Sequence, residues 1–212
     1  MKILSLYELK GIGGLKYIVV VTLYIILPVI IFLECIKYGV SDRLYMEIFR
    51  MTNIVIPVLS PVLVLLILQE YYESPGNELL FLHTRYLVKR VIIYTLLYIV
   101  MLIPIYIILS FIYKQFLFEL VRMSVVVIFI SGMSYLIVTV IRKVSIAIII
   151  VVGYVLYNLL YANGISVFVY YYEQWLDIEL WLHVYLPMLV IGVISYVIAE
   201  MINNMFRESV YN

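Results

Sequence analysis

The amino-acid sequence predicts an all-α integral membrane protein. Its 212 residues are 67% hydrophobic and only 13% charged, and the mean hydropathy is +1.15, whereas about a quarter of the residues of a soluble domain carry charge. The apolar residues are grouped into runs close to the roughly 20 residues that a helix needs to cross a bilayer. We therefore expect one transmembrane domain over residues 1–212, with about six transmembrane helices.

Residues 1–16 predict an amphipathic helix that lies in the membrane interface. Apolar positions such as Ile3 and Leu9 alternate with charged ones such as Lys2 and Glu8, which gives a helix one apolar face and one charged face. Gly11, Gly13 and Gly14, near the end of this stretch, favour a bend before the first span. The next apolar run is too long for the core of a cleavable signal, so we expect the first span to remain as an anchor.

Six apolar runs predict the spans. Their boundaries are residues 17–36, 51–68, 91–113, 121–141, 144–161 and 184–201. A mixed-charge loop is expected over residues 37–50, and only Arg142 and Lys143 separate the fourth span from the fifth, which predicts a tight hairpin. Small residues inside the spans predict close helix packing; they are Ser131, Gly132, Ser134, Ala147, Gly153, Gly192 and Ser195.

The distribution of Lys and Arg predicts that both termini are cytoplasmic in a plasma-membrane protein, because short cytoplasmic loops are enriched in these residues. With an even number of spans, both termini lie on the same side. The side expected to be cytoplasmic holds Lys2, Lys10, Lys16, Arg85, Lys89, Arg90, Arg142, Lys143 and Arg207. The outer side holds Lys37, Arg43, Arg50, Lys114 and Arg122. Residues 163–183 contain acidic residues but no Lys or Arg, and are therefore expected outside.

An aromatic segment, residues 162–183, precedes the last span. Trp and Tyr favour the headgroup level, so we expect this segment to be partly re-entrant or to lie on the outer leaflet. Two interpretations stay open: an ordinary aromatic belt, or an outer vestibule for a lipid-like or amphipathic substrate. The vestibule residues would be Tyr171, Tyr172, Trp175 and Trp181.

The spans are poor in reactive side chains. An intramembrane enzyme needs convergent acid, base or nucleophilic groups at bilayer depth, and the third, fourth and fifth predicted spans are interpreted as lacking them. Glu34 and Glu200 lie near predicted helix ends, where solvated positions are expected. No catalytic residue, metal site or cofactor site is therefore assigned to this chain.

Two classes of partner are disfavoured by the sequence. The single cysteine, Cys35, and the well-separated histidines, His83 and His183, do not have metal-ligand spacing. A net charge of +1 offers no cationic surplus for phosphates, so no nucleic-acid partner is expected. The sequence has no P-loop, so ATP would have to bind to another chain.

The segment from residue 69 to residue 90 concentrates polar residues between the second and third spans. Glu73 lies at its start, a Ser-Pro-Gly-Asn turn follows, and a short amphipathic helix is expected to begin at Glu78. Such a helix on the cytoplasmic face would offer a surface for another protein to bind.

This segment resembles the cytoplasmic coupling stretch of the permease subunits of type-2 ABC exporters. The similarity lies in Glu73, Gly76-Asn77, Glu78-Leu79-Leu80, Thr84-Arg85 and Lys89. The coupling residues that the resemblance implies are Glu73, Gly76, Asn77, Glu78, Leu79, Leu80, Phe81, His83 and Arg85. Asn77 stands where that family has Thr, and His83-Thr84 stands where it has Pro. The six predicted spans and the interfacial first helix agree with the family in architecture.

The resemblance implies an ATP-driven export role. Separate ATP-binding-cassette ATPase subunits would carry ATP and Mg²⁺ and bind the coupling segment, and a second permease, the same chain or a sister chain, would complete the path through the membrane lipid. The substrate would be hydrophobic or amphipathic, such as a peptide, lipid or drug. The alternatives are a non-transporting immunity or resistance protein and, less favoured, an intramembrane enzyme.

Overall fold

The computed structural model describes residues 15–73, 87–160 and 178–211, and all secondary structure in these ranges is helical. We number the helices α1 to α6. Helix α1 comprises Leu15–Val21, a π-helical turn Thr22–Ile26 and Leu27–Tyr38, and α6 comprises Ile178–Leu180, a π-helical turn Trp181–Tyr185 and Leu186–Tyr211. The other helices are α2, Asp42–Tyr72; α3, Leu87–Ile112; α4, Phe116–Ile141; and α5, Val144–Leu160.

Five helices in the described ranges are long and apolar enough to cross a membrane. The exception is α5, whose 17 described residues lie at the lower limit of the roughly 17–25 that a span needs. This architecture supports the prediction of an all-α, multi-pass membrane protein. The expected interfacial helix over residues 1–16 lies almost entirely outside the described residues.

The expectation of a loop over residues 37–50 is wrong for most of its length, because α2 begins at Asp42. Ser41 caps this helix: its hydroxyl oxygen accepts a hydrogen bond from the Leu44 backbone N–H at 3.4 Å. Tyr45, Ile48 and Phe49 then recur at helical spacing and are buried. The polar residues between them occupy the opposite face of the same helix.

Other helices also begin before their predicted spans, and for α3 the first residue is Leu87 rather than residue 91. Helix α4 begins at Phe116, five positions before the predicted start at residue 121, and α6 begins at Ile178 rather than residue 184. Residues 178–183 therefore belong to the last helix and not to a separate outer segment.

Helices α2 and α4 form the centre of the bundle. Within the most apolar window of each helix, 67% of α2 and 61% of α4 is buried, against 22% of the first span and 33% of α3. Helix α4 packs against α2, α3, α5 and α6. The remaining helices direct much of their apolar surface outward, as helices surrounded by lipid do.

A close helix crossing joins α4 to α6 at Gly132 and Gly192. A Cβ atom added to Gly132 would lie 2.5 Å from the Gly192 carbonyl oxygen, and one added to Gly192 would lie 2.8 Å from the Phe129 Cα. Only glycine allows the two backbones to approach so closely. The packing role expected for these two residues is confirmed.

Prolines are accommodated inside continuous helices. The π-helical turns end two residues before Pro28 in α1 and Pro187 in α6, and a π turn relieves the clash of a proline ring with the preceding turn. In α2, Pro61 has no N–H for the Pro57 carbonyl, and the Ser60 hydroxyl donates to that carbonyl at 3.0 Å instead.

The hairpin between α4 and α5 is as tight as expected. Only Arg142 and Lys143 lie between the two helices, and Arg142 adopts a left-handed conformation with φ 58° and ψ 24°. The Arg142 backbone N–H donates to the Val138 carbonyl at 2.7 Å, which closes the last turn of α4.

Candidate functional site

The bundle has two ends, which we name by their connections. At the link end, α2 ends and α3 begins, so that residues 74–86 join them; the α4–α5 turn lies at the same end. At the far end, α1 meets α2 and α3 meets α4. Each end holds a cluster of polar side chains.

Most of the sequence-predicted coupling residues lie outside the described residues. These are Gly76, Asn77, Glu78, Leu79, Leu80, Phe81, His83 and Arg85, and the same is true of Tyr171, Tyr172 and Trp175 in the aromatic segment. Glu73 and Trp181 are described, and both are part of the helical bundle.

Glu73 connects the end of α2 to the start of α5. Its backbone N–H donates to the Gln69 carbonyl at 2.9 Å, which ends α2. Its carboxylate oxygen Oε1 accepts a hydrogen bond from the Val144 backbone N–H at 2.7 Å. This N–H belongs to the first turn of α5, where backbone donors have no partner within the helix and an acidic acceptor is favoured.

Glu200 connects α6 to α3 and α4. One carboxylate oxygen, Oε2, accepts from the Tyr135 hydroxyl at 2.8 Å and from the Val88 backbone N–H at 3.2 Å. The expectation that Glu200 occupies a solvated position is wrong, because the side chain is half-buried and directed into the bundle. Glu34, by contrast, lies near the end of α1 with Lys37 at 4.0 Å.

A hydrogen-bond chain continues from Glu200 across the link end. The Asn203 carboxamide donates from Nδ2 to the Tyr135 hydroxyl at 2.9 Å and accepts at Oδ1 from the Tyr72 hydroxyl at 2.7 Å. Tyr72 also lies 3.3 Å from the Thr139 hydroxyl. Through these contacts α2, α3, α4 and α6 share one polar network.

Two arginines pack against aromatic rings at the link end. Arg90 donates to the Tyr71 hydroxyl and lies over the Tyr71 ring, 5.5 Å from its centroid. Arg142 lies 3.8 Å from the centroid of the Phe206 ring. These cation–π contacts attach α3 to α2 and the α4–α5 turn to the end of α6.

The far end holds a buried ion pair that hydropathy alone does not identify. Glu119 and Arg122 are almost completely buried, and Arg122 Nη2 lies 2.5 Å from Glu119 Oε2. Arg122, expected in a connection between spans, lies inside helix α4, and the fourth span therefore holds a buried basic side chain. The spacing of three residues between opposite charges, just inside the start of an apolar run, is the signal that could identify the pair.

Aromatic rings surround the Arg122 guanidinium. Its Cζ lies 4.3 Å from the centroid of the Phe49 ring in α2 and 5.9 Å from that of Tyr185 in α6. Its Nε and Nη1 make no hydrogen bond to any residue within the described ranges. The pair therefore joins α4 to α2 and α6 at the end opposite the polar network.

Trp181, the described member of the predicted vestibule, lies in the π-helical turn of α6. It is partly buried and packs against the hydrophobic core at the far end. One described member does not test whether the four predicted residues form a vestibule.

Among residues 15–73, 87–160 and 178–211, no group of three or more His, Cys, Asp and Glu side chains is placed to hold a metal ion. The polar side chains described above contact each other and backbone groups. They connect helices at both ends of the bundle.

No protein family profile, curated protein or solved structure matches this chain.

Proposed function

We propose that this chain is the permease subunit of an ATP-driven exporter, in which separate ATPase subunits bind the segment between α2 and α3 and supply ATP and Mg²⁺. A second permease, the same chain or a sister chain, would complete the path. The substrate class is hydrophobic or amphipathic. Both termini and the link end would face the cytoplasm, where the ATPases are.

The observation that carries the proposal is that described residues on both sides of residues 74–86 are hydrogen-bonded to other helices. Glu73, immediately before them, binds the first turn of α5, and Val88, just after them, binds Glu200 of α6. A force applied to this segment would therefore act on α5 and α6 as well as on α2 and α3. Such an attachment suits a surface through which a partner changes the arrangement of the spans.

The resemblance of residues 73–89 to the coupling stretch of type-2 ABC exporters supplies the identity of the proposed partner. The attachment alone would serve any protein that acts on the link end. The choice of an ATPase over other partners therefore rests on the resemblance.

The proposal is tested with the chain purified together with its co-expressed ATPase. Two variants disturb the link: E78A/L79A changes the surface that the ATPase would bind, and E73A removes the acceptor of the Val144 N–H. Both are expected to lower substrate-stimulated ATP hydrolysis severalfold while the chain still inserts into the membrane. The matched control is K114A/Q115A, a double change at exposed positions in the far-end turn, which should leave hydrolysis unchanged.

Two results would contradict the proposal. One is a chain that purifies without an ATPase and performs its cellular role without ATP, as an immunity or resistance protein would. The other is equal ATP hydrolysis by E78A/L79A, E73A and the far-end control.

A further inference from the structure

A lateral groove opens on the side of the bundle between α3 and α6, with α4 behind it. Its cavity volume is about 520 Å³, within the roughly 300–1,000 Å³ of typical small-molecule sites. Side chains from α3 and α6 form the walls and are about half exposed, among them Leu96, Val193 and Val197. Because these positions lie on membrane-spanning helices, the groove opens toward the hydrocarbon of the bilayer.

The groove runs along α6 from the helix crossing to a polar end. Gly192, next to Val193, makes the close crossing with α4, and the lining of the groove on α6 begins at Val193. At the other end, toward the link end, the lining residues are Glu200, Met201 and Asn204. The stretch from Val193 to Asn204 measures about 16 Å at the helical rise of ~1.5 Å per residue, which is about half of the ~30 Å hydrocarbon thickness. The groove therefore has the length of one leaflet.

The wall between the two ends offers little polarity to a ligand. Its hydroxyls, those of Thr95 and Tyr196, lie 3.0 Å apart and bind each other, and Thr95 also donates to the Val91 carbonyl. Among the described residues that line the groove, Glu200 is the one acidic residue, and no Lys, Arg or His is among them. A ligand would meet an apolar channel that ends at a carboxylate.

We propose that the groove binds a single-chain amphiphile with an amine head group, taken from the leaflet at the link end. The alkyl chain lies along Leu96, Val193 and Val197, and the ammonium group lies at Glu200 and Asn204. A carboxylate favours an ammonium donor and repels an anionic head, whereas an apolar wall alone would not distinguish them. This site rests on the groove and not on the proposed ATPase coupling.

The test is photolabelling of the purified full chain in detergent with dodecylamine that carries a diazirine on its alkyl chain. Labelled peptides are expected from α3 and α6 at the groove residues. Unlabelled dodecylamine should compete about tenfold more strongly than dodecanoate, since a charge-assisted hydrogen bond is gained in one case and lost in the other.

Substitutions test the apolar groove and the Glu200 carboxylate separately. V197W fills the groove and should abolish labelling of α3 and α6, while I198W, an exposed neighbour outside the lining, should leave it unchanged. If V197W does not fold, L96W fills the groove from the α3 wall. E200Q keeps an acceptor for Tyr135 and Val88 but removes the charge, so labelling should persist and the preference over dodecanoate should be lost.

Three outcomes would overturn the proposal. The first is that dodecanoate and dodecylamine compete equally well with the photoprobe for the unsubstituted chain. The second is that V197W and L96W are labelled as strongly as I198W. The third is that the groove variants change the oligomeric state while labelling of the groove residues is absent, which would make this face an interface between copies of the chain.

Discussion

Arg122 has the largest side chain among the fully buried residues of the described ranges. A charge in a membrane-spanning helix is costly unless it is compensated, and here compensation comes from Glu119 and from the faces of Phe49 and Tyr185. All of these groups lie at the far end, on α2, α4 and α6. Their contacts fix the start of the central helix between two neighbours.

Removing one partner of this pair should destabilise the protein strongly. E119Q leaves the buried guanidinium without a counter-charge, which costs about 3–5 kcal/mol in comparable pairs, so the midpoint of thermal unfolding in detergent should fall markedly. The double variant E119L/R122M, which replaces the pair by apolar side chains, should recover much of that loss.

The matched control for E119Q is K37Q, which removes the exposed cation of the Glu34–Lys37 pair, whose two charged groups lie 4.0 Å apart. Its unfolding midpoint should stay close to that of the unsubstituted chain, since exposed pairs contribute little. An E119Q midpoint equal to that of K37Q would show that Glu119 does not compensate Arg122.

The sequence shows Glu119 and Arg122, but hydropathy alone does not indicate that they form a buried pair. A hydropathy rule places a span where the apolar run is densest, and residues 121–141 satisfy that rule without the preceding turn. Whether Glu119 and Arg122 are solvated or buried depends on Phe49 and Tyr185, which are distant in sequence. The carboxylate contacts of Glu73 and Glu200 depend likewise on which helix ends meet.

At the scale of the helices, small residues set the distance between α4 and α6. Gly132 and Gly192 lie in contact, as their sequence pattern predicts, whereas Gly153 in α5 is exposed and a Cβ atom added there would meet no neighbouring helix within 4 Å. The same residue type therefore has two different environments. The pattern identifies candidates for close packing, but the neighbouring helix decides which of them is used.

Alanine substitutions should distinguish the two environments. G132A places a methyl group against the Gly192 carbonyl and should destabilise the protein by about 1–3 kcal/mol through overpacking, measured as a lower unfolding midpoint in detergent. G153A meets open space and gains helix propensity of about 1 kcal/mol, so its midpoint should be unchanged or higher. Equal midpoints for the two variants would mean that the α4–α6 crossing is looser than described.

At the scale of the whole molecule, the orientation in the membrane is predicted by the Lys and Arg distribution and is open to a direct test. In a C35S background, K114C places a thiol in the far-end turn and K143C places one in the link-end turn, both at exposed positions. A membrane-impermeant maleimide added to intact cells should label K114C and not K143C. Permeabilised cells should label both, and the reverse pattern in intact cells would place the link end outside.

Hydropathy, helix length and turn signals predict most of the fold. They identify the helical membrane class, the order of the apolar helices and the two-residue turn at Arg142. They place the start of α2 too late, because the polar residues of Asp42–Arg50 look like a loop until their alternation with Leu44, Tyr45 and Ile48 is considered. The candidate site is predicted less well, since its polar contacts join residues from distant parts of the chain.

The short turn between α4 and α5 limits how far one of these helices can move without the other. Only Arg142 and Lys143 lie between them, so we expect a displacement of α5 at Val144 to pull on the end of α4. The distance from Arg142 to Arg122 along α4 is about 30 Å at the helical rise. At the link end, the Glu73 carboxylate binds the first turn of α5. At the far end of α4, the Arg122 guanidinium packs against the Phe49 ring. We therefore expect a displacement at the link end to move residues at the far end of the bundle while the helices themselves keep their structure.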